Sequence, residues 1–138
     1  MTTGSGPDPG PATPGWRVLL VDDSRDDAEL AEFAMRKGGL AVDCQRVHTG
    51  AALAGALRAF APHAVVSDVN LPGFSGAEAL ALARAHDPGL PFVFLTGGLA
   101  PGEQPPGADG LLLKDDLDAL PDVLRRLLGK TALQMPPV

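Results

Sequence analysis

Five polar residues of this 138-residue chain stand directly behind short apolar runs: Asp22-Asp23, Asp68, Thr96 and Lys114. Runs of this kind read as strands buried on both faces, and the carboxyl ends of such strands are where α/β sheets bind their ligands. If the runs lie side by side, three carboxylates meet at one edge. Like charges repel and raise one another's pKa, so the cluster calls for a cation. Oxygen donors favour Mg2+, Ca2+ or Mn2+, and Mg2+ typically takes one or two carboxylates, keeps waters and shares a phosphate. Lys114 adds a mobile point charge suited to a phosphoryl oxygen, and Thr96 adds a hydroxyl. A carboxylate can itself attack phosphorus and form an aspartyl phosphate. The set supplies a nucleophile, a metal site, a cation and a hydroxyl donor, as phosphoryl transfer onto an aspartate requires.

The elements that must position these residues are legible in outline. Arg17–Val21 reads as the first strand and 25–37 as a helix with Ala28, Leu30, Ala31, Ala34 and Met35 on its apolar face. Gly38-Gly39 stops that helix. A second strand is expected over 40–47, where Val42, Cys44 and Arg46 alternate. Thr49 caps a helix over 50–60 carrying Leu53, Leu57 and Phe60. Ala64–Ser67 is a third strand, and Ser75 caps a helix over 76–86 buried through Ala77, Leu80 and Ala81. Pro91–Leu95 and Leu111–Leu113 are the fourth and fifth strands. The last helix, about 118–128, sets Leu120, Val123, Leu124, Leu127 and Leu128 on one stripe, the spacing of an amphipathic helix. Short apolar strands alternating with helices give a five-stranded, doubly wound parallel α/β sheet. Residues 97–110 hold five glycines and three prolines, so the fourth helix is expected to be shortened or missing.

Composition narrows the function classes. There are 17 glycines and 14 prolines, yet 45% of residues are hydrophobic, enough apolar material for a core. The excess is local. Eight of these residues lie before Trp16 and eight between Thr96 and Leu111. The expected layout is a disordered tail over 1–15, one domain over 16–129 and a short tail over 130–138. One cysteine, Cys44, excludes a disulfide framework and a multi-cysteine zinc site; a reducing, cytoplasmic setting is expected. A net charge of −6 without a basic stripe argues against direct nucleic-acid binding. No apolar run approaches the roughly 20 residues of a membrane span. Aspartate outnumbers glutamate thirteen to four, a bias toward caps, loops and metal sites.

At these residues the chain resembles the receiver domain of bacterial two-component response regulators. The matching segments are VLLVDDS (18–24), VVSDVNLPGFSG (65–76), FVFLTG (92–97) and LLLKDD (111–116). Asp23 to Asp68 is 45 residues and Asp68 to Thr96 is 28, close to the family's spacing. The resemblance implies the flavodoxin-like receiver fold and a phosphoacceptor at Asp68. It implies Mg2+ on Asp23 and Asp68, with Asp22 nearby and the backbone carbonyl of Asn70. It implies Lys114 on the phosphoryl oxygens and Thr96 as the residue that reports modification. Partners would be a histidine kinase or a histidine phosphotransfer protein, and a downstream protein target. No turnover enzyme is implied beyond self-phosphorylation and slow hydrolysis.

Several features depart from the family. Thr96 to Lys114 is 18 residues, about four fewer than usual, close to one helical turn. Leu111 stands where an aromatic switch residue is usual, and the chain has no tyrosine; Phe92 and Phe94 are weak substitutes. Asp115 follows Lys114 where proline is common, so a trans bond is expected. The eroded fourth helix implies a monomer or an atypical dimer. A stand-alone receiver is expected, since only Gly129–Val138 follows the domain. Two rivals remain. A haloacid-dehalogenase-type phosphatase would want an aspartate where Asn70 stands. A pseudo-receiver would bind partners without phosphate.

Blander readings apply to other residues. His48, His63 and His86 read as surface or loop positions, Cys44 as core, and Asp115, Asp116 and Asp118 as caps of the last helix. Trp16 is expected at the far end of the first strand from Asp23, roughly 20 Å away.

Overall fold

The structure, a computed structural model, describes residues 15–71, 73–98 and 107–134, with the backbone alone for Asn70 and 130–134. Strand β1 (Trp16–Val21) leads to helix α1 (Arg25–Lys37), β2 (Val42–Val47), α2 (Gly50–Ala59) and β3 (Ala64–Asp68). A two-residue ladder, β4 (Asn70–Leu71) with β5 (Phe74–Ser75), precedes α3 (Gly76–His86) and β6 (Phe92–Thr96). Then come β7 (Gly110–Leu113), a 3-10 turn (Lys114–Ala119) and α4 (Leu120–Gln134). The order β2-β1-β3-β6-β7 is parallel throughout. It is the doubly wound α/β sheet expected from the sequence, with four α-helices among the described residues.

Alternation along the strands makes two cores. Leu19, Val65, Phe92 and Phe94 face α2 and α3 with Leu53, Leu57 and Ala79. Val18, Leu20, Val66, Val93 and Leu95 face α1 and α4 with Ala31, Met35, Leu120 and Leu124. The central strands are buried on both faces, which is why they read as unbroken apolar runs.

Local chemistry sets the helix ends. Ser24 Oγ accepts from the Asp27 N–H at 3.2 Å, and Thr49 Oγ1 from the Ala52 N–H at 3.1 Å. Ser75 and Glu78 close a capping box. Gly38 ends α1 against Pro121, whose ring leaves no room for a β-carbon there.

Some expectations need correction. In α1, Leu30 is 54% exposed; the buried stripe is Ala28, Ala31, Ala34 and Met35. In α3 the buried face is Gly76, Ala79, Leu80 and Ala83, whereas Ala77 and Ala81 are exposed. Alanines recur around that helix, so its pattern carries little phase. Helix α4 starts at Leu120 and runs to Gln134, past the expected helix end at 128 and domain end at 129. Asp115, Asp116 and Asp118 lie within the 3-10 turn, and its N-cap, Leu113, has no side-chain cap. Phe92 and Phe94 are fully buried and stacked edge to face at 5.1 Å, so they are core residues. His48 and His86 are exposed, but His63 is half-buried: its Nδ1 accepts from the Arg17 N–H at 2.9 Å and its ring meets Trp16 edge-on. No cis peptide bond occurs among the described residues. The expected loss of the fourth helix concerns 97–110 and the expected tail 1–15; of these, 99–106 and 1–14 lie outside the described residues.

Candidate active site at the carboxyl edge of the sheet

The strand register builds the site. Val21 pairs with Ser67, Asp68 with Leu95, and Thr96 with Leu113. Asp22, Asp68, Thr96 and Lys114 therefore leave the sheet at one edge. Carboxylate oxygens of Asp22, Asp23 and Asp68 lie within 4.8 Å of one another.

The three acids sit in different surroundings. Asp22 is 5% exposed, and its Oδ1 accepts from the Ser24 N–H at 2.9 Å. Burial raises its pKa, and the Asp68 charge adds to this. The Ser24 hydrogen bond and the Lys114 ammonium pull the other way, without prevailing. Arg46 braces the same turn, donating from Nη1 to the Asp22 carbonyl at 3.0 Å. Asp23 is exposed, and Asp68 is half-buried at the end of β3.

Behind Asp68 the chain is tied back twice. The Val69 N–H donates to the Leu95 carbonyl at 3.2 Å, and the Gly76 N–H donates to the Val69 carbonyl at 2.9 Å. A β-carbon at Gly76 would stand 2.7 Å from that carbonyl oxygen and 2.8 Å from the Phe94 ring. Only glycine lets α3 approach so closely. Gly73, at φ +67°, turns the β4–β5 ladder.

Lys114 is the cation of the site. Its Nζ lies 2.7 Å from Asp27 Oδ2, 3.2 Å from Asp68 Oδ2 and 3.4 Å from Asp22 Oδ2. Burial opposes its charge, but hydrogen bonds to Asp27 and Asp68 and the Asp22 charge outweigh it and hold its pKa above the usual lysine range. Thr96 is buried; its hydroxyl donates to the Gly98 carbonyl at 2.9 Å and accepts from the Gly98 N–H at 3.1 Å.

The structure thus brings Asp22, Asp23, Asp68, Thr96 and Lys114 to one edge and sets the Asn70 backbone two residues beyond Asp68. Sequence reasoning missed Asp27. It stands three residues after the capping Ser24, a spacing that lays a helical side chain back over the strand end. Leu111, in the aromatic's place, is 41% exposed. Cys44 is partly buried; burial, with the nearby Glu32 charge, pushes its thiol up to about 12, so it is protonated and unreactive at neutral pH.

The donor set fits a hard divalent cation: every candidate ligand is oxygen, and among the described residues the excess of carboxylate is met by ion pairs to Lys114.

Comparison with known proteins agrees with this geometry. The response regulator receiver domain model matches residues 18–125. The transcriptional regulatory protein TctD of Salmonella typhimurium is 35% identical over 124 residues, covering 86% of this chain and 54% of TctD. The DNA-binding response regulator MtrA of Mycobacterium tuberculosis is 35% identical over 80 residues, covering 58% of this chain and 34% of MtrA. The chain therefore spans about half the length of TctD and a third of MtrA. Among solved structures, the chemotaxis response regulator CheY4 of Vibrio cholerae superposes with a TM-score of 0.67 at 28% identity, covering 83% of this chain and 99% of CheY4. The receiver domain of sensor histidine kinase PA1611 from Pseudomonas aeruginosa was solved with magnesium in its active-site cleft. It matches at TM-score 0.72 and 24% identity, over 84% of this chain and 99% of that one. Among the described residues no helix is long and apolar enough to cross a membrane. The chain belongs to the response regulator receiver domain family of two-component signalling.

Proposed function

We propose that this receiver takes a phosphoryl group on Asp68 from a histidine kinase or a histidine phosphotransfer protein, and serves as a relay intermediate or a partner-binding switch in the cytoplasm. The observation that carries the reading is the pairing of Asp68 with Lys114 at 3.2 Å inside a cluster of three carboxylates.

Asp22, Asp23, Asp68 and the Asn70 carbonyl would hold Mg2+. When bound, the ion offsets the carboxylate charge and draws phosphoryl oxygens to the site. An Asp68 carboxylate oxygen attacks phosphorus as the P–N bond to the donor histidine breaks, and the electron pair stays on the imidazole nitrogen. Lys114 meets the phosphoryl oxygens as a charged donor at every physiological pH. Thr96 supports the switch by exchanging its Gly98 hydrogen bonds for one to the phosphoryl group. With Leu111 on the neighbouring strand, no aromatic ring follows that movement, and the readout passes through other contacts.

Incubation with acetyl phosphate and Mg2+ tests the reading. The expected result is a single acid-labile adduct of one phosphoryl group, absent in Asp68→Asn. Absence of an adduct on the wild type at any Mg2+ concentration would overturn it in favour of a phosphate-independent binding module. Rapid turnover of unrelated phosphomonoesters would overturn it in favour of a phosphatase.

A further inference from the structure

Lys114 makes its shortest contact with neither Asp68 nor Asp22. Its Nζ lies 2.7 Å from Asp27, at the short end for a charge-assisted bond. Asp27 stands outside the trio that could hold a metal. It occupies the first turn of α1, where its N–H donates to Ser24 Oγ at 3.2 Å and the Ser24 N–H donates to Asp22 Oδ1 at 2.9 Å. Lys114 closes the ring back to Asp22 at 3.4 Å. The first turn of α1 and the carboxylate cluster therefore share one cation.

We infer that Asp27 is a positioning residue. It holds Lys114 partly off Asp68 in the unmodified protein and gives it up when Asp68 carries a phosphoryl group. This rests on the phosphoacceptor reading of Asp68. In the transfer, an Asp68 oxygen bonds to phosphorus, the donor's bond to phosphorus breaks, and the electron pair leaves with the donor. A dianionic group then replaces a singly charged carboxylate, and the ammonium moves toward the greater charge. Asp27 is the partner that can be released. Its side chain is 39% exposed, so water replaces the ammonium there, whereas the side chain of Asp22 is 7% exposed and cannot be rehydrated in place.

Removing the Asp27 charge has two consequences of opposite sign. Lys114 settles wholly on Asp22 and Asp68, where it opposes a divalent cation. It also favours an incoming phosphoryl group. In Asp27→Asn the Mg2+ dissociation constant, measured by calorimetry without a phosphodonor, is expected to rise roughly three- to tenfold. Adduct formation from acetyl phosphate, with Mg2+ saturating for each variant, is expected to accelerate by a similar factor, roughly three- to tenfold. A loosened fold would weaken both. Asp27→Glu keeps the ion pair and is expected to restore both quantities to within about twofold of wild type. Asp26→Asn makes the same change in charge one residue away. Asp26 is exposed and forms no ion pair with Lys114 among the described residues, so this variant is expected to behave as wild type.

The inference is overturned if Asp27→Asn leaves both quantities unchanged, lowers both performances together, or is matched by Asp26→Asn. An adduct on the wild type with an unaltered Asp27→Asn overturns this inference alone. No adduct on the wild type overturns the phosphoacceptor reading and this inference with it.

Discussion

Asp22 and Asp68 end adjacent parallel strands at the same level, because Val21 pairs with Ser67 and the register carries on by one residue. Their carboxylates, with that of Asp23, crowd one edge of the sheet. The fold thereby concentrates negative charge at a point where only Lys114 among the described residues answers it by ion pairs.

Mg2+ is therefore expected to stabilise the fold by mass action. A hundredfold excess over the dissociation constant contributes about 2.7 kcal/mol, read as a rise in the urea midpoint. Asp23 is exposed, so Asp23→Ala should cost the metal-free protein less than about 0.5 kcal/mol while removing most of the Mg2+ effect. An equal Mg2+ shift in the variant would remove Asp23 from the ligand set.

Gly76→Ala is expected to destabilise by about 1–3 kcal/mol, because its methyl group would meet the Val69 carbonyl and the Phe94 ring. That carbonyl lies one residue after Asp68, so the adduct with acetyl phosphate should also form more slowly. A variant with wild-type urea midpoint and wild-type phosphorylation would show that the segment yields freely.

His63 should make stability depend on mildly acid pH. Burial, followed by the Arg17 charge, lowers its pKa below the usual 6.5. The unfolded chain then binds the proton more readily than the folded one. Stability is accordingly full above about 6.5 and falls as the pH drops from there toward the folded-state pKa. His63→Asn keeps an acceptor for the Arg17 N–H and removes the titration, so its stability curve should be flatter over that window. The indole of Trp16 meets the His63 ring at 5.1 Å, so Trp16 emission should follow this titration and ignore Mg2+. Strong quenching by Mg2+ would place Trp16 near the acids instead.

Ala61 follows α2 at φ +50°, a left-handed conformation that disfavours a β-carbon. Its carbonyl accepts from Arg17 Nε at 2.9 Å, which holds the backbone in place. Ala61→Gly should stabilise the protein by about 0.5–1 kcal/mol, the relief exceeding the added freedom of the unfolded chain. An unchanged or lower urea midpoint would show that the strain is absorbed elsewhere.

The pattern of apolar runs and caps determined the order of the main strands and helices, most of their boundaries to within a residue or two, and five polar residues of the candidate site; the β4–β5 ladder and the reach of α4 were not legible in it. Strands buried on both faces leave unbroken apolar stretches, and the residue after each stretch is necessarily at an edge; Asp68 behind Val65-Val66-Ser67 shows this plainly. Caps are equally local: Ser24, Thr49 and Ser75 announce their helices because the hydroxyl and the N–H it accepts from are three residues apart.

Tertiary structure decided what depends on distance in space. Asp27 reads as one more acid in a helix's first turn; that it takes the closest share of Lys114, 87 residues on, follows from α1 packing over the strand edge. His63 reads as a loop residue until the register of β1 and β3 brings it to Arg17 and Trp16. The phase of α3 is lost among its alanines and is set by what the helix lies against. The acids themselves were visible along the chain. Which of them is buried, which is exposed and which one holds the lysine was settled by packing, because burial and charge sharing belong to the assembled edge and to no residue alone.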